Sequence, residues 1–97
     1  MRHRLLILGS LTEFVLITRM AKERGIFTVV CDANENGPAK AIADRAYHIN
    51  VEKTDEIADI CKREKIDGII TSFSDRLFEC MVQIAAKAEL KDRKSVV

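Results

Sequence analysis

Near its amino terminus the chain reads LLILGSLTE over residues 5–13. A run of four apolar residues closed by Gly9 is typical of a short strand that is buried on both faces. The S-x-x-E order from Ser10 to Glu13 is a capping box, which predicts that a helix begins there. The stretch therefore predicts a strand, a tight turn and a helix, which is the opening unit of a parallel α/β sheet.

The order of apolar run, turn and amphipathic segment recurs along the chain. We predict strands at 5–8, 26–31, 46–51 and 66–71, and helices at about 11–24, 40–44, 54–64 and 75–88. Because crossovers between parallel strands are right-handed, successive units of this kind place their strands in one parallel sheet. The predicted fold is a small doubly wound, Rossmann-like α/β domain, with four parallel strands and helices on both faces of the sheet.

Helical spacing of the apolar residues predicts which side of each helix packs on the sheet. The first helix is predicted to bury Phe14, Ile17, Met20 and Ala21. Thr18 is predicted on its wet side, and a third helix is predicted to be capped by Thr54 or Asp55. The last helix is predicted to bury Leu77, Phe78, Met81, Val82, Ile84, Ala85 and Ala88.

Composition excludes several classes of protein. The 97 residues are 47% hydrophobic and 32% charged, with a net charge of +1, so no global field attracts nucleic acid or an anionic membrane. The apolar runs are shorter than the roughly 18 residues that a membrane span requires. Three widely spaced cysteines are predicted to be reduced, in a cytoplasmic protein: Cys31 and Cys61 in the core, and Cys80 more exposed.

Ligands of open parallel sheets bind beyond the carboxyl ends of the strands. This rule selects the loops at 9–12, 32–38, 50–54 and 71–75, which are rich in hydroxyls, amides and carboxylates. The same residue types also cap helices, and Asp32 is equally suited to hold a ribose hydroxyl or to open an Asx turn. Position in a loop leaves both interpretations open.

Known site motifs are absent from the sequence. A G-x-G-x-x-G fingerprint would need glycine at Leu11 and Phe14, and the chain has no G-x-x-x-x-G-K-[ST] loop either. His3 and His48 have no third partner that would suggest a metal site or a catalytic triad. We therefore predict no metal ligands and no catalytic residues in this chain.

A resemblance to a known family rests on several motifs in a fixed order. They are residues 5–10, residues 21–32, Pro38 with residues 43–44, residues 65–71 and residues 74–75. In this order they resemble the N-terminal, pre-ATP-grasp domain of ATP-grasp ligases, and carbamoyl-phosphate synthase large-chain-like proteins look closest. The resemblance covers residues 4 to about 90. We expect residues 1–90 to form the domain, and residues 91–97 to be a charged tail at a truncation point.

The resemblance implies a parent enzyme that uses ATP and Mg²⁺ to convert a carboxylate into an acyl phosphate, which an amine or ammonia then attacks. It places those cofactors and the catalytic groups in an ATP-grasp domain of the same parent chain, so this chain alone is expected to be inactive. By position, it implies that the substrate-binding residues are Gly9, Ser10, Asp32, Ser74 and Asp75.

The sequence departs from the family pattern at two places. The turn after the first strand lacks a second glycine, and residues 89–92 read ELKD where the family has Gly-hydrophobic-Pro-Gly. Two other functions therefore stay open. The chain is then either a free-standing Rossmann-like module that binds a nucleotide or metabolite, or an assembly domain that forms a homodimer through a sheet edge or an apolar helix face.

Overall fold

The computed structural model describes residues 3–10, 12–71 and 75–88, with residues 75 and 76 as backbone. In this part of the chain strands and helices alternate from β1 to α4. Their bounds are β1 (Arg4–Leu8), α1 (Thr12–Glu23), β2 (Phe27–Asp32), α2 (Pro38–Ile42), β3 (Arg45–His48), α3 (Thr54–Glu64), β4 (Gly68–Ile70) and α4 (Asp75–Lys87). None of the described helices is long and apolar enough to cross a membrane.

The strands form one parallel sheet in the order β3-β2-β1-β4. Leu6 of β1 lies between Val29 of β2 and Ile69 of β4. The predicted doubly wound, Rossmann-like class is confirmed. The chain first moves outward through β2 and β3 and then returns to the other side of β1. The order therefore reverses beside β1, where open sheets of this kind bind their ligands.

Each face of the sheet carries its own core. Side chains alternate along β1, so Leu6 and Leu8 face one layer while Ile7 faces the other, and all three are fully buried. Leu6 and Leu8 pack in the layer that contains α3 and α4, whereas Ile7 packs with Phe14 of α1 and Ala39 of α2. Burial on both faces explains why β1 is a continuous apolar run.

The predicted face of α1 is wrong at two positions. Met20 is 44% exposed, whereas Thr18 is fully buried. Burial of this threonine is tolerated because its hydroxyl donates to the backbone oxygen of Phe14, one turn earlier, at 2.7 Å. A local hydrogen bond thus lets a polar residue take a core position that the apolar pattern assigned to a neighbour.

The predicted face of α4 is wrong at three positions. Phe78 and Val82 are 44% and 51% exposed, and Cys80 is 7% exposed and therefore buried. Ile84 and Met81 face the core together with Cys80. The helix is apolar on more than one side, so periodicity alone does not decide which side packs on the sheet.

Several boundaries also differ from the prediction. Helix α2 begins at Pro38, because proline needs no hydrogen bond at the first helical position and is preset for it. Strand β3 ends at His48, three residues earlier than predicted. Lys53 occupies the N-cap of α3 without a side-chain cap, so the predicted capping by Thr54 or Asp55 is wrong.

Candidate functional site

Gly9 makes the turn that follows β1. Its φ of +123° is strained for residues with a side chain, and its N–H donates to the backbone oxygen of Cys31 at 3.0 Å. A Cβ at this position would lie 2.4 Å from Cε2 of Phe14, whose ring is buried against the turn. Phe14 thus fills the space that the third glycine of a dinucleotide fingerprint leaves open, and the turn is not built like that motif.

Ser10 joins the loops that follow β1 and β2. It is fully buried, and its hydroxyl donates to Oδ2 of Asp32 at 2.6 Å. Its backbone oxygen accepts the N–H of Ala39 at 2.9 Å. Gly37 lies so close that a Cβ there would be 1.7 Å from Oγ of Ser10. The second loop therefore folds down onto the first, and the capping-box pattern does not foresee this partner.

Asp32 is partly exposed, and both its carboxylate and its backbone oxygen accept hydrogen bonds. Its Oδ1 accepts the N–H of Asn34 at 3.3 Å, which is the Asx turn that the sequence suggested. The ammonium group of Lys40 donates to the backbone oxygen of Asp32 at 2.7 Å. We call this group, made of Gly9, Ser10, Asp32, Gly37 and Lys40, the Ser10 corner.

The structure thus brings together three of the five predicted substrate-binding residues, Gly9, Ser10 and Asp32. Asp75 is the first residue of α4, and Ser74 lies outside the described residues. Their roles as substrate contacts stay a prediction. Sequence reasoning missed Lys40, whose position in the first turn after Pro38 was the available signal.

Thr71 follows β4 at the same end of the sheet. It is buried, and its hydroxyl donates to the backbone oxygen of Leu8 at 3.1 Å. This bond ties the exit of β4 to the exit of β1. It lies at the strand reversal, where open parallel sheets hold their ligands.

The cysteine thiols are poorly suited to nucleophilic chemistry. Burial raises the pKa of Cys31 and of Cys61 to about 12, so both thiols stay protonated at neutral pH. In the part of the chain that is described, no three His, Cys, Asp or Glu residues come close enough together to hold a metal ion. His3 lies near Asp67 at the amino end of the sheet, and His48 is exposed at the end of β3.

A groove of about 1000 Å³ runs between edge strand β3 and helix α3. Sequence reasoning did not foresee it. Its lining includes Tyr47 and Ile49 on one side and charged residues of both signs on the other. The charged residues of the α3 side are Lys53, Glu56, Asp59, Lys62 and Arg63. Three of these five residues are positively charged and two are negatively charged.

A second polar cluster closes the amino end of the sheet. Glu64, at the end of α3, is 4% exposed, and its carboxylate accepts hydrogen bonds from Arg4 at 3.0 Å, Arg45 at 2.9 Å and Tyr47 at 2.5 Å. Arg4 also donates to the backbone oxygen of Glu64. We call these four residues the Glu64 cluster. The guanidinium of Arg4 stacks 4.0 Å from the ring centre of Phe27.

The cluster sets the protonation of its members. Burial by itself raises the pKa of Glu64, but the hydrogen bonds from Tyr47 and Arg45 outweigh it, so the pKa lies below its ordinary value. Burial, together with the hydrogen bond to Glu64, raises the pKa of Tyr47. Glu64 is therefore ionised and Tyr47 is neutral at pH 7, so the Tyr47 hydroxyl can donate its hydrogen bond to the Glu64 carboxylate.

Comparison with known protein families gives a match over nearly the whole chain. The family model described as "PylC-like, N-terminal domain" matches residues 5–94 of this chain. No curated protein matches the sequence.

Solved structures share the fold. Phosphoribosylglycinamide synthetase from Anaerococcus prevotii is 28% identical, with a TM-score of 0.76, over 92% of this chain and 23% of that protein. N5-carboxyaminoimidazole ribonucleotide synthetase from Thermotoga maritima is 19% identical, with a TM-score of 0.72, over 88% of this chain and 23% of that protein. UDP-glucose 4-epimerase from Thermotoga maritima is 12% identical, with a TM-score of 0.72, over 91% of this chain and 35% of that protein. This chain thus spans about a quarter of the length of the two synthetases.

Proposed function

We propose that this chain, which belongs to the PylC-like N-terminal domain family, is the amino-terminal domain of an ATP-grasp ligase that joins a carboxylate to an amine or ammonia. The observation that carries the proposal is the family match over residues 5–94, which is nearly the whole chain. The likeness to phosphoribosylglycinamide synthetase over 92% of the chain supports it. The finer resemblance to carbamoyl-phosphate synthase large chains stays a prediction.

In this proposal the domain is a scaffold. ATP and Mg²⁺ would bind to an ATP-grasp domain elsewhere in the parent chain, where the acyl phosphate would form. The polar groups of the Ser10 corner hydrogen-bond to one another, which supports a positioning role. The Ser10 hydroxyl donates to the Asp32 carboxylate, and the Lys40 ammonium donates to the Asp32 backbone oxygen. Such bonds hold a loop in place with little freedom left to lose on binding.

The carboxylate of Asp32 is the group at this corner that is best suited to meet a substrate. It is partly exposed, whereas Ser10 is fully buried. A carboxylate accepts hydrogen bonds, so it suits an ammonium or hydroxyl group of the non-nucleotide substrate. We assign the Ser10 hydroxyl the task of orienting Asp32, and Gly9 the task of allowing the turn.

The proposal is tested on the parent enzyme, with the gene read past the codon for Val97. We expect the purified parent to hydrolyse ATP only when a carboxylate and an amine are both present, and the 97-residue chain alone to be inactive. Asp32→Asn should raise the KM for the amine or carboxylate and leave the KM for ATP unchanged. Asp59→Asn, on the exposed side of α3, is the matched control. A parent without ligase activity would contradict the proposal.

The free-standing module makes the opposite prediction. If this chain binds a nucleotide or amino acid by itself, a ligand at 100 times its Kd would add about 2.7 kcal/mol to the free energy of unfolding. Titration with ATP, NAD and amino acids, followed by the melting temperature, measures this directly. We expect no saturable shift with the 97-residue chain. A shift that Asp32→Asn abolishes would favour the alternative.

A further inference from the structure

Strand β3 is the outermost strand on its side of the sheet. Among the described residues it pairs with β2 alone, and three of its four residues are exposed. The N–H of Ile49, just after the strand, donates to the backbone oxygen of Asp32 on β2 at 3.1 Å. Because backbone direction alternates along a strand, the N–H and C=O groups of Ala46 and His48 point away from β2. The outer edge of β3 is therefore open to another strand.

The groove of about 1000 Å³ lies beside this open edge. Tyr47 and Ile49 line it from the sheet, and Ile60 lines it from α3. Tyr47 and Ile49 pack against the core below α3, but both are only partly buried. Open backbone groups and partly covered apolar side chains thus occur together, and both are features that another polypeptide covers.

Helix α3 carries opposite charges at its two ends beside the groove. Glu56 lies in its first turn, and Lys62 and Arg63 lie in its last turn. All three are exposed and line the groove. Asp59, between them, has Lys62 one turn away on the same helix. The gradient suits the dipole of α3, and it also makes this side of the helix complementary to an antiparallel copy of itself.

A two-fold axis beside Tyr47 satisfies the strand and the helix together. Antiparallel pairing of β3 with β3 of a second copy places Ala46 opposite His48 on both sides of the axis, which forms four backbone hydrogen bonds. The two Tyr47 residues then face each other at the axis, in a pair whose side chains approach closely. The same axis sets the two α3 helices antiparallel, with Glu56 of each near Arg63 of the other.

We propose that the β3 edge and the groove side of α3 form an interface between two copies of this chain, in which two four-stranded sheets join into one. The occupant is a second copy because the charges of α3 complement themselves in the antiparallel arrangement that the strands also require. Each copy offers the same strand and the same charges, as a two-fold interface needs. The inference does not depend on the proposed ligase activity.

The size of the interface predicts a weak dimer. Helix α3 has 11 residues and is about 17 Å long, and β3 has four residues and is about 13 Å long. A helix and a strand side by side are about 20 Å across, so each copy offers roughly 300 Å². Stable complexes bury roughly 800 Å² per partner. We therefore expect a Kd on the order of 100 μM.

Charge reversal tests the contact between the helices. Glu56→Lys and Arg63→Glu are made in the 97-residue chain, and the Kd of the dimer is measured by sedimentation equilibrium. Each variant alone should weaken the dimer at least about tenfold, because repulsion replaces attraction at both symmetry-related contacts. Glu23→Lys is the matched control: Glu23 is equally exposed, but it lies on α1 at the opposite face of the sheet. The control should leave the Kd unchanged.

Mixing the two variants separates pairing from helix stability. In a mixed dimer the introduced lysine faces the introduced glutamate, and the native Glu56 faces the native Arg63, so both contacts attract again. We expect the equimolar mixture to dimerise as strongly as the wild type. A variant whose helix was merely weakened would stay weak in the mixture, because mixing does not repair a fold.

Hydrogen exchange locates the contact between the strands. The amides of Ala46 and His48 should exchange about fourfold more slowly at ~1 mM chain than in dilute samples, because about a fifth of the chains are then monomeric. The amide of Ile49 is the internal control. It already donates to Asp32, so its exchange should not depend on concentration.

Three results would overturn the proposal. A wild-type chain that stays monomeric up to ~1 mM would leave the groove without a second copy, at about ten times the expected Kd. A dimer that the Glu56 and Arg63 variants do not weaken, or that their mixture does not restore, would form through another surface. A dimer in which the amides of Ala46 and His48 gain no protection would not pair through β3. None of these results bears on the ligase proposal.

Discussion

The two ends of the sheet are closed by opposite means. At the amino end the Glu64 cluster brings three long side chains onto one buried carboxylate, and Phe27 packs beneath a guanidinium. At the carboxyl end the Ser10 corner packs closely because two of its residues, Gly9 and Gly37, have no side chain. There the Phe14 ring approaches Gly9 and Ser10 approaches Gly37, at distances that a Cβ would prevent.

This difference separates two tasks. Long polar side chains at the amino end fill space and satisfy one another's hydrogen bonds, which stabilises that end of the sheet. At the carboxyl end, where open parallel sheets bind ligands, glycines and short side chains let the loops pack closely and leave Asp32 partly exposed. The amino end thus supplies stability, whereas the carboxyl end supplies a fixed loop geometry for the proposed substrate contact.

Gly9→Ala should show the largest effect, because the corner depends on a missing Cβ. The new methyl group would meet the buried Phe14 ring at 2.4 Å, in a backbone with φ of +123°. We expect a loss of about 3–5 kcal/mol in the free energy of unfolding, measured by urea denaturation. Gly25→Ala is the control: its φ is +77° with no atom within 4 Å, so it should cost only about 1–2 kcal/mol. Equal losses would show that backbone strain alone matters.

Glu64→Ala tests the opposite end. It removes the shared partner of Arg4, Arg45 and Tyr47, and we expect a loss of about 2–4 kcal/mol in the free energy of unfolding. Asp59→Ala, on the exposed side of the same helix, should change stability by less than about 0.5 kcal/mol. If both variants unfold at the same urea concentration, the cluster contributes no stability.

Ser10→Ala should have a smaller effect, because Asp32 is partly exposed and water can replace the hydroxyl. We expect a loss of about 1–2 kcal/mol, measured by thermal unfolding. A double-mutant cycle with Asp32→Ala should give a coupling of about 1 kcal/mol, whereas a cycle of Ser10→Ala with Asp59→Ala should be additive. Additivity in both cycles would mean that the hydrogen bond between the two loops contributes nothing.

The pH dependence of the Glu64 cluster should be the smallest effect. Because its pKa is lowered in the folded state, Glu64 adds stability that is complete above the ordinary pKa of about 4.3. That stability is lost as the pH falls through the lower folded-state pKa. The difference in Tm between the wild type and Glu64→Gln should therefore be largest at pH 7 and shrink below pH 4. A difference that persists at pH 3 would contradict this origin.

Local sequence patterns predicted the elements and failed on the helix faces. The apolar runs predicted four short parallel strands. The mostly buried β1 and β2 match closely, whereas β3 is mostly exposed and its end was misplaced. The face of α4 was wrong at Phe78, Val82 and Cys80, since a helix that is apolar on two sides gives two equivalent solutions. The prediction that Thr18 is exposed was wrong, because a local hydrogen bond satisfies its hydroxyl and allows it to be buried.

The candidate site was partly predictable. The rule that ligands bind at the carboxyl ends of parallel strands selected the loops at 9–12 and 32–38. The family resemblance implied Gly9, Ser10 and Asp32 within them, and the structure brings these three together. Their mutual contacts were not predictable, because Ser10 and Asp32 are 22 residues apart in the chain. Lys40 was missed for the same reason, since its partner is a backbone oxygen of another element.

The sequence by itself determined the order of strands and helices, the parallel sheet and the end at which polar loops collect. These follow from periodicity and from the right-handed crossover, both of which act over neighbouring residues. Only the tertiary structure decided that Phe14 covers Gly9, that Glu64 gathers Arg4, Arg45 and Tyr47, and that α4 keeps a free apolar side. These depend on how whole elements rotate and pack against one another, and local spacing does not encode that rotation.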